Sequence, residues 1–195
     1  MSMGETARRQ GDRGATAETA ETAEAAEAAS TGTETAADIP KARLTIHKGV
    51  DGELSVGGLR FVACRREIER VDGGVTLIVR GRDGAGEQDR DLVRFDFFRN
   101  RPHYHVPAES QAERTIDPER HGDGLAWGLS EISTGMRPLI EEAGFAALAA
   151  EIDAQALEKA APQLRALVEG LAEPTETSFF EVDPKVLEAL GLDPD

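Results

Sequence analysis

Apolar and polar residues alternate along several short stretches between residues 43 and 106. Alternation with a period of two is typical of β-strands that bury one face. Segments rich in Gly and Asp separate these stretches, and no helical spacing intervenes. The pattern predicts six strands: Leu44–Ile46, Leu54–Val56, Leu59–Arg70, Val75–Arg80, Leu92–Phe98 and His103–Val106. We expect an antiparallel meander in which the first two strands form a hairpin.

The period changes to that of a helix after residue 124. An apolar stripe at helical spacing runs from Leu125 to Ala143, and Gly135 and Pro138 should break or kink it. Further apolar repeats predict helices over residues 145–152, 157–171 and 184–190. The predicted fold class is therefore α+β, with an antiparallel sheet over residues 43–106 followed by helices over residues 124–190 that pack on one face.

The segment Leu92–Val106, L-V-R-F-D-F-F-R-N-R-P-H-Y-H-V, concentrates aromatic and titratable residues. A four-residue turn over Arg99–Pro102 would place His105 opposite Asp96. Because side chains alternate across a strand, one face of this hairpin is then apolar and the other polar. The apolar face holds Phe95, Phe97, Tyr104 and Val106, and the polar face holds Arg94, Asp96, His103 and His105.

His103 and His105 occupy positions i and i+2 of a strand, an arrangement that supplies two imidazole ligands to some metal sites. Asp96 would be a third ligand or would orient one ring, and His121 or a carboxylate from Glu109 to Asp123, in the following polar connection, would complete the set. This interpretation implies a divalent metal ion, whereas the chain otherwise indicates no cofactor.

Two other interpretations use the same residues without a metal. A histidine oriented by Asp96 could act as general acid and base, with Arg94, Arg99 or Arg101 holding the phosphate group of an ester. Alternatively, His103 and His105 are hydrogen-bonded sheet residues that fix the hairpin and carry no chemistry.

Charge is distributed unevenly along the 195 residues, whose formal net charge is −15. Residues 1–40 are rich in Ala, Glu and Thr and lack an apolar stripe, which predicts a disordered acidic leader before a single domain over residues 41–195. Residues 41–106 carry 13 basic and 10 acidic side chains, whereas residues 107–195 carry 6 and 19. A nucleic-acid partner is unfavourable because its phosphate backbone is anionic.

The sequence contains neither a long apolar run nor the basic-then-apolar pattern of a signal peptide. Cys64 is its single cysteine, so no disulfide can form within the chain. These features predict a cytoplasmic protein that does not cross a membrane.

The string R-F-D-x-F-x-x-x-P-H-Y-H, formed by residues 94–105, resembles the signature of an uncharacterised bacterial domain family whose members continue into a Trp-containing helical tail. The likeness extends over residues 43–170. The R-x-D and P-H-x-H elements within the string are also similar to those of TumE-type toxins from toxin–antitoxin pairs. This second resemblance implies a small protein whose sheet carries histidines.

From these patterns we expect a small binding or interaction protein without catalysis, which has a protein partner or self-associates. The alternative is a metal-dependent or histidine-based hydrolase or nuclease centred on the P-H-Y-H hairpin. An enzyme should gather Asp96, His103 and His105 in a concave pocket, whereas a binding protein should bury them or display them on a flat face.

Overall fold

The computed structural model describes residues 42–82, 89–189 and 191–192. The strands are β1 (Ala42–Lys48), β2 (Gly52–Val56), β3 (Leu59–Ile68), β4 (Asp72–Gly81), β5 (Arg90–Phe98), β6 (His103–His105), β7 (Arg114–Thr115) and β8 (Glu176–Val182). The helices are α1 (Pro118–His121), α2 (Gly124–Thr134), α3 (Met136–Glu142), α4 (Ala146–Glu151), α5 (Ala154–Lys159), α6 (Ala161–Glu169) and α7 (Pro184–Ala189). The predicted disordered leader, residues 1–40, lies outside the described residues.

The described strands form one sheet in the order β7-β6-β5-β4-β3-β1-β8, with β2 also paired to β3. The pairs are antiparallel, and strands β3 to β7 are consecutive in both the chain and the sheet. Helices α1 to α6 follow strands β1 to β7 in the chain, and this separation of strands and helices confirms the predicted α+β fold class. Within the described ranges, no helix is long and apolar enough to cross a membrane.

The main core lies between one face of the sheet and helices α2 to α6. In the register of β3, β4 and β5, Ala63 pairs with Leu77 and Leu77 pairs with Phe95, and all three are fully buried. Ile132 of α2 and Leu164 of α6 pack into the same core. Burying one such large apolar side chain contributes about 1.5–3 kcal/mol. The residues that alternate with this set therefore point to the opposite face, which we call the polar face.

The predicted hairpin between β1 and β2 is wrong. Both strands lie along the same edge of β3, where β1 pairs with residues 66–68 and β2 with residues 59–63. Between them, Gly49 donates its backbone N–H to the carbonyl of Arg65 at 2.9 Å, so the chain continues along β3 instead of reversing. The reversal comes at Gly57 and Gly58, whose φ angles of 64° and 85° suit a tight two-residue turn.

The connection between β5 and β6 has the four residues that were predicted, Arg99–Pro102, but the pairing of the two strands is shifted. β5 extends to Phe98 because that residue pairs with Gly74 of β4. In β6, His103 then pairs with Asp96, and His105 pairs with Arg94, so the prediction of Asp96 opposite His105 was wrong by two residues. A shift of two residues keeps each side chain on its own face, and the predicted apolar and polar faces are therefore retained.

The C-terminal segment completes the sheet. β8 pairs with β1 along its length, from Val182 opposite Ala42 to Glu176 opposite Lys48. Leu187 of α7 packs with Ala42 and Leu44 in a small cluster that is separate from the main core. This cluster covers the polar face where it reaches strand β1.

We predict that Gly128→Ala destabilises the fold. A Cβ at position 128 of α2 would lie 2.2 Å from Cε1 of the Phe97 ring. Alanine normally favours a helix over glycine by about 1 kcal/mol, but relieving this clash moves Phe97, and overpacking of this kind costs about 1–3 kcal/mol. Urea unfolding followed by circular dichroism gives the free energy of unfolding.

Ser130→Ala is the control, because Ser130 is exposed on the same helix and its replacement should change stability by less than about 0.5 kcal/mol. If Gly128→Ala is as stable as the wild type, the packing of α2 against β5 is incorrect.

Candidate functional site

Three strands bring polar side chains together on the polar face. In the sheet register, Thr76 of β4, Asp96 of β5 and His103 of β6 are direct neighbours, and Arg94 lies opposite His105 in the next row. Asp96, His103 and His105 are each less than one-tenth exposed. The structure therefore brings together four residues that the sequence assigned to one face.

Asp96 lies at the centre of this cluster. Its Oδ1 accepts a hydrogen bond from Thr76 Oγ1 at 2.6 Å, and its Oδ2 accepts one from Arg94 Nε at 2.9 Å. The Nε2 atoms of His103 and His105 each lie 3.5 Å from the same Oδ2. A carboxylate buried to this extent needs such donors in place of water.

His105 is fixed at both ring nitrogens. Its Nδ1 donates to the carbonyl of Ser110 at 2.8 Å, which places the proton on Nδ1. Its Nε2 consequently accepts from Nη2 of Arg94 at 2.7 Å. The pKa of His105 is lowered below the usual 6.5, mainly because the ring is buried and secondly because Arg94 is positively charged. The ring is therefore neutral at neutral pH.

His103 is fixed at one nitrogen. Its Nδ1 donates to the carbonyl of Arg101 at 2.7 Å, and its ring lies edge-on to Phe98 with 5.8 Å between centroids. Its Nε2 lies 3.5 Å from Asp96 Oδ2 and 3.7 Å from Glu113 Oε1. Among the described residues neither contact is a hydrogen bond, and this nitrogen therefore keeps its capacity for a further partner.

A second buried carboxylate, Asp72 at the start of β4, holds the connection that precedes His103. It accepts hydrogen bonds from the backbone N–H groups of Asn100 at 3.1 Å and Arg101 at 3.0 Å. It also accepts from the backbone N–H of Gly73 at 2.8 Å. Because the carbonyl of Arg101 in turn holds the His103 ring, Asp72 positions that ring indirectly.

A cleft of about 330 Å³ opens beside this cluster. Ile68, Val71 and Phe98 supply apolar lining, and the charged lining consists of Arg66, Arg70, Arg94, Arg101, Asp72, Asp96 and Glu113. Two of these arginines pair with carboxylates of the cleft, Arg94 with Asp96 and Arg101 with Glu113. The cleft therefore carries more positive than negative groups, although the whole chain has a net charge of −15.

The structure does not bring His121, the fourth predicted metal ligand, to this cluster. Its ring packs on Trp127 with 4.9 Å between centroids, and Trp127 packs on Tyr104 at 5.6 Å. Tyr104 points to the helical side of the sheet, so His121 and the pair of His103 and His105 are on opposite sides. Among the described residues, the group that could hold a metal contains Asp96, His103 and His105.

Sequence reasoning missed Thr76 and Asp72, which complete the cluster and the cleft, whereas Glu113 lies in the range Glu109–Asp123 in which it placed a further carboxylate. Thr76 and Asp72 both come from β4, far in sequence from Asp96. Because Thr76 alternates with apolar neighbours, the sequence assigns it to the polar face. Its contact with Asp96 depends on the register between β4 and β5, and alternation within one strand does not specify that register.

We predict that His105 makes the fold less stable as the pH falls from about 7 to about 5. The folded-state pKa of His105 lies below its unfolded value of about 6.5. Its contribution to stability is therefore present above that value and is lost as the pH falls through the folded-state pKa. Urea unfolding at both pH values measures this dependence.

In the His105→Asn variant this dependence should be flatter, whereas the control His121→Asn, on the helical side of the sheet, should retain it. Equal pH dependence in the wild type and His105→Asn would contradict the assignment.

Comparisons with known proteins give the chain a family. No curated protein and no solved structure matches it significantly. A family model described as Domain of unknown function (DUF7700) matches residues 53–168, from β2 to α6. This segment is more than half of the chain, and it includes the whole R-F-D to H-Y-H string. The expected resemblance to an uncharacterised domain family is confirmed, and the similarity to TumE-type toxins stays a prediction. The chain belongs to the DUF7700 family of domains of unknown function.

Proposed function

We propose that this domain binds a small organic anion in the cleft beside His103 and does not catalyse a reaction on it. The observation that carries the proposal is the lining of the cleft, which combines arginine side chains with an apolar wall next to an internally hydrogen-bonded cluster. A cytoplasmic location, favoured by the single cysteine, is part of the proposal.

The buried part of the site supports binding rather than reaction. Both carboxylate oxygens of Asp96 accept hydrogen bonds from protein groups, and both ring nitrogens of His105 have protein partners. A general base needs a lone pair that can reach the substrate. Since Asp96 and His105 direct their lone pairs into the protein, their network stabilises the shape of the cleft.

The cleft favours a ligand with one anionic group on a small apolar body. Its volume of about 330 Å³ is at the lower end of the range for small-molecule sites, about 300–1,000 Å³. A guanidinium group such as that of Arg66 binds carboxylate or phosphate through paired hydrogen bonds. Ile68, Val71 and Phe98 provide apolar contact for the remainder of the ligand.

Titration of ¹⁵N-labelled protein with phenyl phosphate and with benzoate tests this proposal. We predict that both compounds shift the backbone amide NMR signals of Ile68, Phe98 and His103. Inorganic phosphate should bind more weakly because it cannot use the apolar wall. Arg66→Gln should weaken binding of both organic anions about fivefold, which corresponds to about 1 kcal/mol, because it removes a positive charge from the cleft.

Arg165→Gln is the matched control, because it makes the same charge change on α6, away from the cleft. There, Nη1 of Arg165 lies 3.7 Å from Oε1 of Glu169. An equal loss of affinity in both variants would show a net-charge effect and contradict the site. Absence of shifts with all three compounds would also contradict it.

One observation favours a second candidate function, that of a hydrolase or nuclease. Nε2 of His103 lacks a hydrogen bond among the described residues, and the residue lines the cleft together with the arginines. A ring held through Nδ1 with a free Nε2 is suited to proton transfer, and the arginines could hold a phosphodiester. In this candidate His103 is the general base, the carbonyl of Arg101 orients its ring, and the carboxylate of Asp96, 3.5 Å from Nε2, stabilises the ring once it is protonated.

Hydrolysis of bis(p-nitrophenyl) phosphate and of a short RNA separates the two candidates. Under our proposal, wild type and His103→Ala show the same background rate, with or without added Zn²⁺ or Mn²⁺. A hydrolase would instead lose about 10²- to 10⁴-fold in kcat/KM in His103→Ala. His121→Ala is the control, since His121 lies on the other side of the sheet and its loss should not change the rate.

A further inference from the structure

We propose that Asp96, His103 and His105 form a binding site for a divalent transition metal of the zinc class, and that Arg94 competes with the metal for the same lone pairs. The inference does not depend on anion binding in the cleft. The cluster then holds one of two alternative cations, either the Arg94 guanidinium or a metal ion from solution.

The donor set and its spacing suit such a metal. The two imidazole nitrogens and the carboxylate oxygen lie within 4.8 Å of one another, and both nitrogens are 3.5 Å from Asp96 Oδ2. Ligands at about 2.0–2.2 Å from a tetrahedral zinc ion are roughly 3.3–3.6 Å apart. Two histidines with one carboxylate form a common ligand set for zinc and its neighbours.

Backbone carbonyls hold both rings in the tautomer that a metal requires. Nδ1 of His103 donates to the carbonyl of Arg101, and Nδ1 of His105 donates to the carbonyl of Ser110. In both rings the unprotonated nitrogen is therefore Nε2, which is the nitrogen close to Asp96. Histidine ligands are usually oriented by this type of outer hydrogen bond.

Arg94 uses the lone pairs that the metal would use. Its Nε donates to Asp96 Oδ2 at 2.9 Å and its Nη2 donates to His105 Nε2 at 2.7 Å. The single lone pair of His105 Nε2 cannot serve the guanidinium and a metal ion at the same time, and two cations so close together would also repel each other. Binding of the metal and this position of Arg94 are therefore mutually exclusive.

Arg94 has a path out of the cluster. Its side chain is 32% exposed, compared with 6% for Asp96, and it lines the cleft. The guanidinium can therefore move into the cleft and be solvated there when a metal enters. Three protein ligands would leave one coordination position for water or another ligand.

Co²⁺ titration of metal-free protein tests the competition, because cobalt bound in a four-coordinate site gives visible d–d absorption. We expect Arg94→Met to bind one Co²⁺ per chain about 100-fold more tightly than wild type. This factor corresponds to the loss of two hydrogen bonds to charged groups. Zn²⁺ should displace the cobalt in both proteins.

Three control variants make the result specific. Arg80→Met removes another cross-strand arginine, which pairs with Asp91 at 2.6 Å, and should bind cobalt like wild type. Arg94→Met combined with His103→Ala should lose the cobalt spectrum, whereas Arg94→Met combined with His121→Ala should keep it. Equal cobalt affinity in Arg94→Met and wild type, or a spectrum that survives the loss of His103, would overturn the proposal.

Arg94→Met leaves the buried charge of Asp96 without its cationic partner and can therefore destabilise the fold. Zn²⁺ should then raise the melting temperature of this variant far more than that of wild type. A variant that remains unfolded in the presence of Zn²⁺ would also overturn the proposal. In wild type, excess Zn²⁺ should shift the ¹⁵N signal of Nε2 more than that of Nδ1 in both His103 and His105.

Discussion

Burial of the Asp96 carboxylate is the constraint on which the polar face depends. A carboxylate removed from water is strongly destabilising unless donors and a positive charge surround it. Arg94, two residues earlier on the same strand, supplies the charge, and Thr76 on the neighbouring strand supplies a hydroxyl. Strand β6, on the other side of β5, must place polar side chains beside Asp96 and Arg94. His103 and His105 can lie there because backbone carbonyls hold their rings in position.

The polar face could be predicted from sequence because a period of two assigns side chains to faces whatever the pairing. The predicted register was wrong by two residues, which changed the partner of His105 from Asp96 to Arg94 but left both faces intact. The register itself could not be predicted in the same way. Asp72, which anchors the connection between β5 and β6, lies on another strand and acts through the backbone N–H groups of Asn100 and Arg101, and no side-chain pattern marks these groups.

The other errors also arose from contacts between distant segments. The segment from Gly49 to Gly52 has the composition of a turn, yet β3 is 10 residues long and accepts both β1 and β2 along one edge, so the chain does not reverse there. His121 was assigned to the site by residue type, whereas packing on Trp127 decides its position. The break between α2 and α3 at Gly135 was predictable because a local property of glycine causes it.

The cleft is supported by chain that lies outside the segment matching DUF7700. Arg66 and Ile68 line it, and both pair with residues of β1, which precedes that segment. Val71, another lining residue, packs against the cluster that contains Leu187 of α7, which follows the segment. Flanking sequence therefore shapes one wall of the recess, so substitutions in β1 or α7 would change that wall while leaving the R-F-D and H-Y-H elements untouched.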